Sequence, residues 1–139
     1  MAKTLAGAGA AVGIVARRSD RLDALCDEIT AAGGKAFGTR LDVADPSAIG
    51  PAIDAVEAAL GPIGCLINNA GMSIDGPLLK VTPEDYASVM AVNTTGPLFL
   101  AQAVAQRDRR RARARKILHK QVDELDLRLL HAGDCLLDR

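Results

Sequence analysis

Apolar residues in this chain come in short blocks, and the spacing inside each block predicts an element. Ala11-Val12-Gly13-Ile14-Val15-Ala16 is continuous rather than alternating, the pattern of a short, fully buried strand. Ser19 follows as a candidate N-cap, and Leu22, Leu25, Cys26 and Ile29 recur at i, i+3, i+4 and i+7, one stripe of an amphipathic helix. On that stripe Cys26 reads as packing, not as a reactive thiol. Gly33-Gly34 end the helix, and Lys35 to Leu41 alternates as a strand. Asp45-Pro46 then supplies an N-cap acceptor and a proline at N1, with Ile49, Ile53, Val56 and Leu60 on one face behind it. Gly50 and Pro51 fall inside that helix, where a proline costs up to about 3 kcal/mol unless it is still in the first turn.

Gly61-Pro62 close this helix, and Ile63 to Ile67 returns as an apolar strand that runs into Asn68-Asn69-Ala70-Gly71. Two amides that donate and accept, next to a glycine that admits close approach, suit the place where open α/β sheets bind ligands, beyond a strand's carboxyl end. Met72 to Val81 reads as a surface loop. Thr82-Pro83-Glu84-Asp85 starts a helix with a hydroxyl cap, a proline at N1 and acids at the positive dipole end. Tyr86, Val89, Met90 and Asn93 share one face of it, Tyr86 as core. Pro97 has no N–H to give the carbonyl of Asn93, which predicts a kink and a carbonyl able to hold water.

Composition bounds this picture. The chain has 139 residues, enough for one modest domain, and its residues are 49% apolar but only 2% aromatic. The core must therefore be built of Ala, Val, Leu and Ile. Residues 1–106 carry 7 basic and 11 acidic side chains, and residues 107–139 carry 10 and 6. Cys26, Cys65 and Cys135 are odd in number and widely spaced, which argues against a disulfide framework or a zinc site and favours a reducing cytoplasm. His119, His131 and Cys135 lack ligand-pair spacing, so no metal is assigned. No stretch approaches the length of a membrane span. Gly7, Gly9 and Gly13 are spaced Gly-x-Gly-x-x-x-Gly with too few residues before them for the strand that leads into a dinucleotide-binding loop, so they are set aside as a phosphate cradle.

The segment Leu66 to Gly71, preceded by Gly61-Pro62-Ile63 and followed by Asn93-Thr94-Thr95-Gly96, resembles the short-chain dehydrogenase/reductase family, and the likeness runs from about Leu5 to Gln106. The resemblance implies an α/β fold, a partial Rossmann-like doubly wound parallel sheet lacking the first strand and the strands after the fourth. Leu5 to Ala10 would then be the last turn of the helix after that first strand. It implies a partial NAD(P)-binding domain over 1–106 and a basic, then leucine-rich tail over 107–139. By the same resemblance Arg17 and Arg18 would take the 2′-phosphate of NADP in preference to NAD, Asp42 and Val43 would lie against the adenine, Asn68, Asn69, Ala70 and Gly71 would form the cofactor loop, and Asn93 would hold a water on the proton relay. The family's reaction is hydride transfer between the nicotinamide and a small carbonyl or secondary alcohol, and its members are usually homo-oligomers.

The family's acid/base group is a Ser followed by Tyr-x-x-x-Lys, Tyr protonating the carbonyl with its pKa lowered by the Lys ammonium. No Ser follows Ser88, and the only tyrosine, Tyr86, has Met90 where the Lys is needed. In the order 3-2-1-4-5-6 the strand ending at Asn68 would lack both neighbours, so the expectation is an inactive fragment that does not fold alone as a native-like Rossmann domain. Arg107 to Lys120 holds eight basic residues and one acid, a run able to bind nucleic acid or an acidic partner, with Val122, Leu125, Leu127, Leu129 and Leu130 beyond it among acids. Without aromatics to stack bases, a solvated helix or disordered tail is the better reading and a non-catalytic interaction protein the alternative.

Overall fold

In the computed structural model, residues 1–110 are described, the side chains of the last two excepted. The basic run beyond Arg110, His119, His131 and Cys135, and the leucine-rich segment, with what is expected of each, lie outside them. The chain divides into two compact units, Met1–Ile63 and a second that begins at Gly64.

The first unit is a parallel α/β layer. Its elements are α1 (Ala2–Gly7), β1 (Ala11–Ala16), α2 (Ser19–Ala31), β2 (Lys35–Arg40) and α3 (Pro46–Leu60). β1 and β2 pair in parallel from Ala11↔Lys35 to Ala16↔Arg40, and Leu41 N–H extends the ladder by donating to Ala16 C=O at 3.0 Å. Leu22 and Ile29 of α2, Ile49, Ala52, Ile53 and Val56 of α3, and Leu41 and Val43 after β2 are buried. β1 departs from expectation. It is half-exposed, with Ala11, Gly13 and Val15 open, because β2 is its only ladder neighbour among the described residues.

Helix ends explain most of the glycines. After α1, Gly9 takes φ 92°, its N–H donates to Ala6 C=O, and Ala10 N–H donates to Leu5 C=O. That pair of bonds is the Schellman close, for which glycine carries no Cβ penalty. Gly33 repeats it after α2 at φ 82°, with Gly34 N–H returning to Ile29 C=O. Gly13 serves a different need, since a Cβ there would lie 2.5 Å from Cγ1 of Val56. The glycines that mimic a phosphate loop are thus a helix stop and a strand–helix contact.

Two local expectations shift. Ser19 is the first residue of α2 and not its cap; Arg18 occupies the N-cap in an extended conformation, and its side chain makes no cap hydrogen bond. Pro51 lies past the first turn of α3, which Asp45 caps by accepting from Ser47 N–H at 2.9 Å and from its hydroxyl at 2.6 Å.

In the second unit, the strand expected over 63–67 is reduced to one bridge residue, Ile67. A ladder needs neighbours, and no strand of this unit is described. A short 3₁₀ turn (Leu78–Lys80) leads to α4 (Pro83–Met90), a π turn (Ala91–Thr95) and α5 (Gly96–Arg110). Thr82 and Asp85 close a capping box, Thr82 hydroxyl accepting from Asp85 N–H at 3.1 Å and Asp85 carboxylate from Thr82 N–H at 3.0 Å. Leu100, Ala101 and Val104 are the buried residues of α5's apolar side. The helix runs through Arg107 without a break, although the composition changes there.

Candidate functional site

The sequence candidates fall into two groups. Arg17, Arg18, Asp42 and Val43 belong to the first unit, and Asn68 to Gly71 with Asn93 to the second.

In the first group, the parallel register brings the ends of β1 and β2 level, so the chain after Ala16 and the chain after Arg40 leave the sheet side by side. Arg17 and Arg18 are exposed there, and neither is ion-paired among the described residues. Two forked cations without a carboxylate partner suit a phosphate better than a ribose diol, which needs an acceptor. Asp42 is half-buried, and its Oδ1 accepts from Ala44 N–H at 3.0 Å while its C=O accepts from Asp45 N–H at 3.0 Å. It is first a turn residue. Its second carboxylate oxygen makes no hydrogen bond among the described residues, which leaves an acceptor for an amine. Val43 beside it is buried at 8% exposure.

In the second group Asn68 is the one buried polar residue among those described, whereas Asn69, Ala70 and Gly71 are exposed. Asn93 closes the loop that follows. Its Nδ2 donates to Met72 C=O at 2.8 Å, and its Oδ1 accepts from Met72 N–H at 2.9 Å. One amide thus satisfies both backbone groups of the residue after Gly71. The main chain at Asn93 is as predicted irregular, but as a π turn: Gly96 N–H reaches back five residues to Ala91 C=O, and Pro97 has no N–H at all. Both α-helical donors to the carbonyls of Val92 and Asn93 are thereby diverted or absent.

Tyr86 is not core. It is 62% exposed and lines a cleft of about 370 Å³ with Met72, Ile74, Val81, Val89 and Asn93. The helical stripe was legible, but its partner here is a loop that leaves one side open. Sequence reasoning also missed the Met72 backbone as the partner of Asn93, which no side-chain pattern encodes. It missed Arg40 too, whose Nε–H donates to Arg17 C=O at 3.2 Å. The signal for Arg40 was its place as the last residue of the strand parallel to the one that Arg17 follows.

A family model for the short chain dehydrogenases matches residues 1–117. This chain belongs to that family. A short chain dehydrogenase of Pseudocercospora fijiensis is 43% identical over 105 residues, covering 73% of this chain and 34% of the relative. The gluconate 5-dehydrogenase of Gluconobacter oxydans is 37% identical over 106 residues, covering 76% of this chain and 41% of the relative. Among solved structures, a gluconate 5-dehydrogenase from Burkholderia cenocepacia in complex with NADP and tartrate superposes with a TM-score of 0.76 at 36% identity, covering 85% of this chain and 46% of that one. The chain therefore spans less than half the length of these relatives. Its parallel α/β layer is the Rossmann-type arrangement of the family's structures.

No helix among the described residues is long and apolar enough to cross a membrane, and no cluster of His, Cys, Asp or Glu there could hold a metal.

Proposed function

We propose that this short-chain dehydrogenase chain carries the adenosine-recognising part of an NADP-preferring oxidoreductase and does not turn over substrate by itself. The observation that carries the reading is the unpaired Arg17–Arg18 couple at the carboxyl end of β1, level with the turn that holds Asp42. The NADP bound to a structural relative supports the same choice of cofactor. Arg17 and Arg18 bind the 2′-phosphate through forked N–H groups, Asp42 accepts from the adenine amine through its second oxygen, and the Val43 backbone completes that contact. Asn68, Asn69, Ala70 and Gly71 are the cofactor-loop residues of the second unit. Asn93 fixes Met72 behind that loop, and its main-chain carbonyl holds a water on the proton path.

Bound NADP would supply or accept the hydride, with a small carbonyl or secondary alcohol as the other reactant. The proton is the missing part. With neither a Ser after residue 88 nor a Tyr-x-x-x-Lys, this chain lacks the family's group for protonating a carbonyl oxygen. The pyrophosphate also lacks its loop here, because Gly9 and Gly13 are taken by the α1 stop and the Val56 contact. The same reading takes the protein as a homo-oligomer in the cytoplasm.

A thermal-shift titration of the 139-residue chain tests this. NADPH should raise the midpoint at lower concentration than NADH, with no ketone reduced. Equal response to the two cofactors removes the 2′-phosphate assignment, and measured carbonyl reduction removes the claim of inactivity.

A further inference from the structure

Arg17 and Arg18 stand at the end of β1, and the sheet register supplies a third arginine beside them. Arg40 ends β2 opposite Ala16, and Leu41 N–H donates to Ala16 C=O, so Arg40 is held beside the first residue past β1. Its Nε–H donates to Arg17 C=O at 3.2 Å. That bond uses the inner edge of the guanidinium. Its two terminal amino groups, with four N–H donors, stay available on an exposed side chain.

Three guanidiniums thus gather at adjacent strand ends, and none of them is ion-paired among the described residues. The acids nearest in the chain do not neutralise them. Asp20 lies in the first turn of α2, and Asp42 is half-buried with Oδ1 bonded to Ala44 N–H. A neutral ribose edge would leave this charge unanswered, whereas a phosphomonoester of charge about −1.5 to −2 answers it.

We infer that Arg40 is a specificity-determining residue for a ribose phosphomonoester, donating to it directly while it holds the Arg17 carbonyl and so fixes the turn that presents Arg17 and Arg18. The inference rests on the 2′-phosphate reading above and adds a residue to it. Arg40 has two separable effects: charge at the phosphate, and order in the turn at residues 17 and 18.

The test uses the full 139-residue chain and two probes that differ by one phosphate, adenosine 2′,5′-bisphosphate and 5′-AMP, titrated by calorimetry. Arg40→Gln should weaken the bisphosphate by about ten-fold or more, as loss of a charged hydrogen bond predicts, and leave 5′-AMP unchanged. Arg40→Lys keeps the charge and the stem but loses the fork and the bond to Arg17, so the bisphosphate-to-monophosphate ratio should fall about three-fold or more; it carries the same test if Arg40→Gln does not fold. An unchanged ratio in these variants overturns the inference, as does an equal weakening of both probes, which would make Arg40 purely structural. If the paired Arg17→Gln, Arg18→Gln variant loses discrimination while Arg40→Gln keeps it, the inference falls and the 2′-phosphate reading stands. A wild-type chain that does not distinguish the probes overturns both.

Discussion

Replacing Gly13 with alanine separates a packing glycine from a phosphate-binding one. A Cβ at Gly13 would lie 2.5 Å from Cγ1, 3.3 Å from Cγ2 and 3.5 Å from Cβ of Val56, and Val56 is buried at 8% exposure on the packed face of α3. The first of these distances is far inside carbon–carbon contact, so the helix must shift from β1 or Val56 must leave its rotamer. Overpacking of this kind costs about 1–3 kcal/mol. The better strand behaviour of alanine returns roughly 0.5–1 kcal/mol, leaving a net loss of about 0–2.5 kcal/mol. Val56→Ala alone removes two buried methyl groups and should cost about 1.6 kcal/mol in transfer, before any cavity term.

The double variant is the informative one. With the Val56 γ-carbons gone, the alanine at position 13 meets no clash and partly fills the space, so the pair should cost less than the sum of the singles by about 1–2 kcal/mol. Urea unfolding of the four chains, followed by far-UV circular dichroism, measures this coupling. Additive losses would refute the contact. NADPH affinity of the folded Gly13→Ala chain should be unchanged, which a glycine cradling phosphate would not allow.

Three further outcomes follow from the helices and the loop they hold. Asn93→Leu removes both bonds to Met72 and leaves that exposed residue's N–H and C=O to water, which should cost about 0.5–1.5 kcal/mol and raise amide exchange at Met72 more than at residues of α2; unchanged exchange at Met72 would contradict the clamp. Thr82→Ala opens the capping box and should lower stability by about 1 kcal/mol, with Thr82→Ser retaining most of it, both read from chemical denaturation. Asp45 has a carboxyl held below its ordinary value of 3.8, first by the Ser47 hydroxyl and then by the Ser47 N–H. Its contribution to α3 is therefore complete above that value and lost as pH falls through the lower folded one, so acid should weaken the start of α3 in wild type but not in Asp45→Asn; equal pH dependence by hydrogen exchange at Ser47 and Ala48 would contradict it.

The first unit was largely legible in the sequence because its signals are local. The Leu22, Leu25, Cys26, Ile29 stripe, the Asp45-Pro46 start and the Gly33-Gly34 stop each state a helix boundary in adjacent residues, and all appear where expected. The burial of β1 was not legible, since whether a strand is covered depends on its neighbours and not on its own residues. The same reason reduces 63–67 to a bridge at Ile67: an apolar run proposes a strand, but only a paired ladder makes one. At the site, residue types pointed to Arg17, Arg18 and Asn93. The bonds that organise them run to main-chain atoms of Met72 and from Arg40, and backbone partners leave no trace in residue type.

The five-residue turn at Ala91–Thr95 amounts to one surplus residue wedged into an otherwise ordinary coil. Excising a single position there would let the coil close into uniform rungs, an apparent improvement in regularity. Each residue of an α-helix advances the azimuth by roughly 100°, and the wide turn absorbs nearly all of that for its extra residue, so everything downstream would keep close to its present face relative to Tyr86 and Val89. Leu100, Ala101 and Val104 would stay on their covered side, so the irregularity bears on the main chain at 92 and 93, whose carbonyls would regain or lack donors accordingly, and not on the packing of the helix beyond it.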